Sequence, residues 1–229
     1  MKILAIDTST TSGSVALVEK GKAAICLEEK NVEAHAKWLL PAIDALFTEA
    51  ASSIEDIDII AIGVGPGSFT GLRIGVSTVK GLAFALNKPI VGVSTLKALA
   101  MNVHGPALIC PILDARKKQV YAALYRTDSE DGDLEEVMGD RAITPALLCE
   151  EIKLRSSAEE LLFLGTGLNV YKEIIVSSIE GAVFAPKDDW RIRAENIALL
   201  AELDDAEQIA ASSLAPLYRR RSEAEINEG

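Results

Sequence analysis

The sequence is poor in the residues that most metal, disulfide and nucleic-acid sites require. Only two of its 229 residues are histidine, and neither His35 nor His104 has a second histidine at helical spacing, so we predict no metal site. Cys26, Cys110 and Cys149 form no CxxC pair, which excludes a disulfide framework and predicts reduced thiols in a cytoplasmic protein. The net charge of −11 excludes a dominant nucleic-acid-binding face.

Long uninterrupted apolar runs are also missing from the sequence. The longest, such as residues 57–64, have the length of a strand, and Met1 is followed at once by a strand-like segment instead of a signal peptide. The composition is 49% hydrophobic and 25% charged, which is ordinary for a globular domain. We therefore expect a soluble protein with no membrane association.

Hydrophobic periodicity divides the chain into two similar halves with the order β-β-β-α-β-α-β. In the first half, strands are predicted over 2–8, 14–19, 23–29, 57–64 and 90–94, with helices over 33–50 and 70–86. In the second half, strands are predicted over 107–113, 119–126, 135–143, 161–164 and 182–185, with helices from 145, 168 and 194. Gly105-Pro106 breaks the chain, so we expect lobes over 1–104 and 105–229, with the last helix a candidate to pack back on the first lobe.

Landmark residues fall at matching places in the two halves. Asp7 ends the first strand of one half and Asp114 ends its counterpart, while Gly65-Pro66-Gly67 and Gly165-Thr166-Gly167 follow the two fourth strands. Such residues are common at strand ends in any α/β protein, but here their order agrees. A duplicated unit of this kind is the plan of the actin, sugar-kinase and Hsp70 ATPase superfamily. We predict an α/β protein with a duplicated ribonuclease-H-like, actin-like fold.

The two aspartates are the best candidates for chemistry. In ATPases of this fold, carboxylates at the ends of the two first strands flank the phosphates and hold Mg²⁺ through water. Hydroxyls near Asp7 and the charges of Lys117 and Lys118 near Asp114 would add phosphate contacts. The alternative interpretation is that both aspartates only cap strands and hold turns. The candidate nucleotide-binding residues are Asp7, Ser9, Thr10, Asp114, Gly165 and Gly167.

The glycine-rich segment Gly65–Gly75 follows a strand and opens a helix, and it has two interpretations. A glycine turn before a helix N-terminus can bind an anion, but no lysine stands where a Walker loop needs one. Alternatively, Gly71, Gly75 and Thr78 form a small-residue ridge that allows a second helix to approach closely, within the chain or between subunits.

The first long helix carries more apolar width than one core face needs, which predicts a second surface buried in a partner. Arg219–Arg221 is a dense basic run, and it is interpreted either as a solvated tail or as a partner or tRNA contact. The candidate interface residues are Trp38, Leu39, Ile43, Gly71, Arg73, Ile74, Gly75, Thr78 and Leu82.

Several of these segments resemble the TsaB (YeaZ) family. The similarity covers nearly the whole chain in the right order, and the glycine-rich run is its most specific part. The segments that carry it are Ile6–Ser9, His35–Ile43, Gly65–Gly75, Asp114–Arg116 with Val120-Tyr121, and Pro216–Arg219.

The resemblance implies an actin-like fold and a non-catalytic subunit. Members of the family partner TsaD, a paralogue that transfers a threonylcarbamoyl group to the adenosine beside the anticodon of certain tRNAs, and the ATPase TsaE joins them. The resemblance also implies a homodimer through first-lobe helices when the subunit is alone, only indirect contact with tRNA, no required cofactor, and ATP or ADP as a candidate ligand of the complex. A proteolytic activity has been proposed for the family, but no Ser/His/Asp or Cys/His arrangement is visible to carry it.

Two other functions remain open from the residues alone. One is a small actin-fold ATPase or kinase that uses Asp7 and Asp114, and the other is a direct tRNA binder, which the negative charge opposes. Under the subunit hypothesis, Gly75→Trp is expected to leave the fold intact while abolishing the complex.

Overall fold

Alternating apolar residues at the start of the chain form an antiparallel meander of three strands. A computed structural model describes residues 1–128, 134–155, 160–203, 208–210 and 212–217. The strands are β1 (Lys2–Asp7), β2 (Gly13–Glu19) and β3 (Ile25–Glu29). β1 pairs with β2 from Lys2 opposite Glu19 to Asp7 opposite Ser14, which places Asp7 at the β1–β2 turn.

The rest of the first sheet is parallel to β1 because helices connect its strands. The sheet order is β11-β5-β4-β1-β2-β3, with β4 and β5 parallel to β1 and to each other and with β11 antiparallel to β5. The added elements are α1 (His35–Glu49), a 3₁₀ helix (Ile54–Asp56), β4 (Ile59–Gly65), α2 (Phe69–Leu86), β5 (Ile90–Ser94), α3 (Thr95–Ala100), α6 (Ala194–Ala201) and β11 (Gln208–Ile209).

Helices cover both faces of this sheet, which explains the near-continuous apolar character of β1 and β4. Ile62 joins the core under α1 and α2. The next residue, Gly63, faces the opposite side, where the side chains of Thr95 in α3 and Ile197 in α6 approach it. Pro41 lies inside α1.

Helix α2 corrects the expectation that no segment has the length of a membrane span. Among the described residues it is the one helix long and apolar enough to cross a membrane by length and composition, with 18 residues and a mean hydropathy of 1.2. One of its faces, which includes Leu72, Val76 and Val79, is buried against the first sheet. A core helix of a globular protein has this same composition.

The second sheet repeats the plan of the first. Its order is β10-β9-β6-β7-β8, which corresponds strand for strand to β5-β4-β1-β2-β3, and the parallel and antiparallel pairings also correspond. The predicted duplicated actin-like α/β fold is therefore confirmed. The elements are β6 (Ala107–Arg116), β7 (Gln119–Thr127), β8 (Glu135–Ile143), α4 (Pro145–Arg155), β9 (Leu161–Leu164), α5 (Leu168–Ser178), β10 (Val183–Phe184) and a 3₁₀ helix (Lys187–Trp190).

The chain divides into two units whose boundaries differ from the expected ones. Unit 1 contains Met1–Asn102 and Arg191–Pro216, and unit 2 contains Val103–Trp190 and Leu217 among the described residues. The last helix, which the sequence made a candidate to pack back on the first lobe, thus belongs to unit 1. Helix α6 packs on β1 and β2 and also contacts α3. The Asn196 side-chain amide donates to the carbonyl oxygen of Ala98 in α3 at 3.0 Å and to Asn102 Oδ1 at 2.8 Å.

Candidate functional site

The glycine-rich segment is fastened onto the β1–β2 turn of unit 1. The Thr8 hydroxyl donates to the carbonyl oxygen of Gly71 at 2.8 Å, and the Ser68 amide donates to the carbonyl oxygen of Ser9 at 2.7 Å. A Cβ added at Gly71 would collide with the Thr8 carbonyl oxygen, and one added at Gly75 would collide with the Thr8 hydroxyl. These glycines are required because two backbone segments of the same unit touch.

Four predicted interface residues are consequently not available to a partner. Gly71, Gly75, Leu39 and Ile43 are all buried inside unit 1, so their assignment to an exposed surface is wrong. The sequence could not distinguish a ridge that faces the chain itself from one that faces another protein. The expectation that Gly75→Trp would leave the fold intact is wrong for the same reason.

The remaining predicted interface residues are at least partly accessible to solvent. Ile74, Thr78 and Leu82 are half-buried, as is Trp38, whose ring lies against Gly13. Arg73 is exposed, and its guanidinium lies 5.6 Å from the centre of the Phe69 ring.

The most exposed apolar side chain of this surface was missed by sequence reasoning. Phe84 is 86% exposed, and on the neighbouring helix α1 Leu40 is 53% exposed. Gly81 precedes Phe84 by one turn, and a Cβ added there would meet open space. The helical phase set by the buried face of α2 could have revealed this exposed side. We call Leu40, Thr78, Gly81, Phe84 and Ala85 the α1/α2 surface.

Asp7 lies at the end of β1 and is almost completely buried. Its carboxylate accepts a hydrogen bond from the Ser9 amide at 3.3 Å and lies beside Gly63, whose added Cβ would come within 2.7 Å of it. Burial raises the pKa of Asp7 to about 7, against the opposing effect of the hydrogen bonds from Ser9 and Thr8. The buried carboxyl therefore holds its proton at higher pH than an exposed aspartate does.

The two predicted hydroxyl donors near Asp7 differ. Among the described residues the Ser9 hydroxyl is buried and has no hydrogen-bond partner, whereas Thr10 directs its hydroxyl to the carbonyl oxygen of Ser12 at 3.3 Å. The carbonyl oxygen of Thr10 lies 2.8 Å from Nε2 of His35, which ties α1 to the same turn. The turn is therefore held by its own chain on several sides.

Asp114 occupies the corresponding place in unit 2 and is more accessible, with its side chain 24% exposed. Its Oδ1 accepts a hydrogen bond from the Arg116 amide at 2.8 Å, and the Arg116 guanidinium lies 3.8 Å from Oδ2. Burial, followed by the charge of Asp114, raises the pKa of Tyr171 on α5. Gly167 packs onto β6, since its amide donates to the carbonyl oxygen of Ile112 at 3.1 Å.

Gly165 takes a positive φ of 109° immediately after β9, so the glycine is needed there for the turn into α5. Gly165 and Gly167 are both buried. The described residues contain no group of three histidine, cysteine, aspartate or glutamate side chains that could hold a metal ion. The basic run Arg219–Arg221 lies outside the described residues.

Comparison with known proteins places this duplicated fold in one class. Residues 29–228 match the family model described as TsaD: tRNA N6-adenosine threonylcarbamoyltransferase. In structure, the chain superimposes on YeaZ from Pseudomonas aeruginosa with a TM-score of 0.81 and 32% identity, covering 95% of this chain and 99% of that one. The class is thus that of TsaD-like proteins with an actin-like fold.

Full-length relatives narrow the class. The tRNA threonylcarbamoyladenosine biosynthesis protein TsaB of Bacillus subtilis is 35% identical over 98% of this chain and 96% of its own length. The Escherichia coli protein of the same name is 32% identical over the same shares. The chain belongs to the TsaB family, as the resemblance implied.

Proposed function

We propose that this chain is a non-catalytic subunit of tRNA threonylcarbamoyladenosine biosynthesis that binds and activates a TsaD-like transferase through the α1/α2 surface. The names of its full-length relatives support the pathway. The observation that carries the binding role is the exposure of Phe84, whose side chain is 86% exposed. Exposing an aromatic side chain to water is unfavourable, and burying it in a partner would stabilise the complex.

The small residues around Phe84 support close contact with another helix. A glycine inside a helix costs about 1 kcal/mol relative to alanine, and Gly81 has no neighbour within the chain that requires it. Thr78 and Ala85 lie on the same side of α2, one turn before and one turn after Gly81. A partner helix whose backbone crosses α2 at Gly81 would explain why this position is a glycine, although glycine destabilises the helix of the isolated chain.

The expected partner has the same fold as this chain. A transferase of Brachyspira hyodysenteriae, named tRNA N6-adenosine threonylcarbamoyltransferase, is 35% identical over 107 residues. Two related chains can associate through like surfaces about a pseudo-two-fold axis, which would join two helices from each into a bundle. The same geometry supports a homodimer when the partner is missing.

The sequence supports a subunit without its own chemistry, because no lysine stands where a Walker loop needs one. This disfavours the alternative of an ATPase that uses Asp7 and Asp114. We propose that no cofactor is required, that any ATP or ADP serves the assembled complex, and that a TsaE-like ATPase acts on that complex.

Two further parts of the proposal concern location and tRNA. Cys110 and Cys149 are buried free thiols and Cys26 is a half-buried one, which fits a reducing cytoplasm. The chain's net charge of −11 favours a transferase partner as the main tRNA-binding surface.

The decisive experiment pairs two substitutions of equally exposed residues. Phe84→Asp on α2 is expected to weaken binding to the purified TsaD-like partner at least 100-fold, about 2.7 kcal/mol, because it places a charge in the helix contact. Leu154→Asp on α4 changes a side chain that is 84% exposed, against 86% for Phe84, and is expected to leave binding unchanged. Calorimetric titration measures both affinities, and a threonylcarbamoylation assay with each component omitted measures activity.

A third variant separates binding from folding. Gly81→Gln is expected to raise the melting temperature of the isolated chain, since it removes a helix glycine from open space, while it blocks the complex. Full assembly and activity of both Phe84→Asp and Gly81→Gln would exclude this surface as the partner site.

A further inference from the structure

The β6–β7 hairpin of unit 2 ends in a turn made of three consecutive basic residues. Arg116 pairs with Gln119, so Lys117 and Lys118 form a two-residue loop. All three basic residues have left-handed backbones, with φ of 62° at Arg116, 49° at Lys117 and 62° at Lys118. Two-residue loops with positive φ at both central positions belong to the type I′ turn, which favours Asn-Gly.

The residues in this turn are therefore not those that its backbone prefers. Glycine and asparagine adopt a left-handed conformation easily, whereas lysine and arginine are strained by their Cβ atoms. Strain of this kind is found where surrounding structure or function requires a particular side chain. The observed strain at Lys117 and Lys118 points to a role for their ammonium groups.

The charge of the turn contrasts with that of the whole chain. Three adjacent cations stand on a protein of net charge −11, and Arg116, Lys117 and Lys118 are all exposed, with the Arg116 side chain 85% exposed. The carboxylate of Asp114 is not an efficient neutralising partner, because its distance of 3.8 Å from the exposed guanidinium gives a weak pair. Its stronger contact holds the Arg116 amide and thus fixes the turn.

We infer that the Arg116–Lys118 turn binds phosphate groups, and specifically those of an RNA backbone. Lysine and arginine side chains and turn amides are the usual donors to phosphate oxygens. A protruding tip with exposed side chains can touch the surface of a large polyanion, whereas a small anion needs a more enclosed site. The inference rests on the proposed function for the identity of the RNA, and it assigns this chain one local tRNA contact beside those of its partner.

The test exploits the strain in the turn. The double variant Lys117→Asn with Lys118→Gly supplies the preferred type I′ sequence and removes two charges. We expect its melting temperature to rise by about 4 °C and its affinity for a fluorescein-labelled tRNA transcript to fall about tenfold. The slope of log affinity against log salt should fall by about 2, one for each lost phosphate contact. Fluorescence anisotropy on the full chain, starting at 20 mM salt, measures the affinity.

A matched control removes the same charge elsewhere. Lys20→Gln with Lys153→Gln neutralises two exposed lysines outside the turn and should keep the wild-type salt slope. The inference is overturned by unchanged tRNA affinity and slope in the turn variant, by equal losses in the control, or by no tRNA binding to the wild-type chain. A second arm titrates ATP, and loss of ATP binding with unchanged tRNA binding would also overturn the RNA assignment.

The result of the tRNA-binding test does not depend on whether the α1/α2 surface binds the TsaD-like partner. The turn variant should still bind the TsaD-like protein with wild-type affinity, because its substitutions lie in unit 2 and the α1/α2 surface lies in unit 1. A failure of complex formation by the wild-type chain would contradict the proposed function, whereas the anisotropy result alone decides the phosphate contact.

Discussion

Asp7 and Asp114 end equivalent strands of a duplicated fold, yet they have opposite surroundings. Asp7 is 1% exposed and its pKa rises to about 7, while the Asp114 side chain is 24% exposed and lies 3.8 Å from the Arg116 guanidinium. The two sheets have the same strand order, so topology places both carboxyls and does not decide how deeply each is buried. Local packing decides it, and the two units have diverged at this point.

The divergence has a visible physical cause in the glycine segments. In unit 1, a Cβ added at Gly67 would collide with the backbone of Ser9, because the segment lies directly on the β1–β2 turn. In unit 2, a Cβ added at Gly167 would lie 3.1 Å from the carbonyl oxygen of Ile112, a tight but less severe contact. The tighter packing in unit 1 accompanies the deeper burial of its aspartate.

The largest expected effect comes from Asp7→Asn. Because the folded-state pKa of Asp7 is raised from 3.8 to about 7, the native state holds its proton more strongly than the unfolded chain, and stability falls as pH rises between those values. At about 1.4 kcal/mol per pH unit the loss reaches roughly 4 kcal/mol above pH 7. The amide variant avoids it, so it should match the wild type at pH 3.5 and be more stable at pH 8.

Urea unfolding at the two pH values measures this difference, and Trp38 fluorescence reports on unit 1. Asp114→Asn is the matched control in the other unit. A stability difference between Asp7→Asn and the wild type that does not change with pH would contradict the burial of an ionisable Asp7.

The next effect compares the two glycine segments. Gly67→Ala should destabilise the protein by about 3 kcal/mol, and Gly167→Ala by about 1 kcal/mol, because the added Cβ would overlap the Ser9 carbonyl oxygen more severely than the Ile112 carbonyl oxygen. Equal losses in thermal unfolding would show that the two segments are packed alike.

The smallest effect concerns the anchor of the basic turn. Asp114→Ala removes the acceptor for the Arg116 amide and should cost about 1 kcal/mol. The change should appear in the fluorescence of Trp190, which belongs to unit 2, before that of Trp38. A shift confined to Trp38 would be inconsistent with a local role for Asp114.

Periodicity predicted most of the fold because strands and helices with buried faces must alternate in a recognisable pattern. β5, β8 and β9 match the predicted residues, and α2 differs by one residue at its start. The matching positions of Asp7 and Asp114 correctly indicated the duplication. The return of α6 to the first sheet was one of two options, since an apolar helix does not specify which sheet it covers.

The functional surfaces were harder to predict because small residues serve two purposes. Gly71 and Gly75 looked like a ridge for a partner, but the structure places them against Thr8. Gly81 is also a glycine in α2, but a Cβ added there would meet open space. Only the three-dimensional structure distinguishes a glycine packed against its own chain from an exposed one. The relevant contacts join residues more than sixty positions apart in the sequence.

Helix α6 has a consequence for how the protein is made. Residues 191–216 complete unit 1 but are synthesised after residues 103–190 of unit 2, so a nascent chain leaving the ribosome exposes one apolar side of β1 and β2 for most of translation. The usual order, in which the N-terminal domain folds first, is therefore reversed. Residues 103–190 of unit 2 are therefore synthesised while unit 1, which carries the α1/α2 surface, still lacks α6.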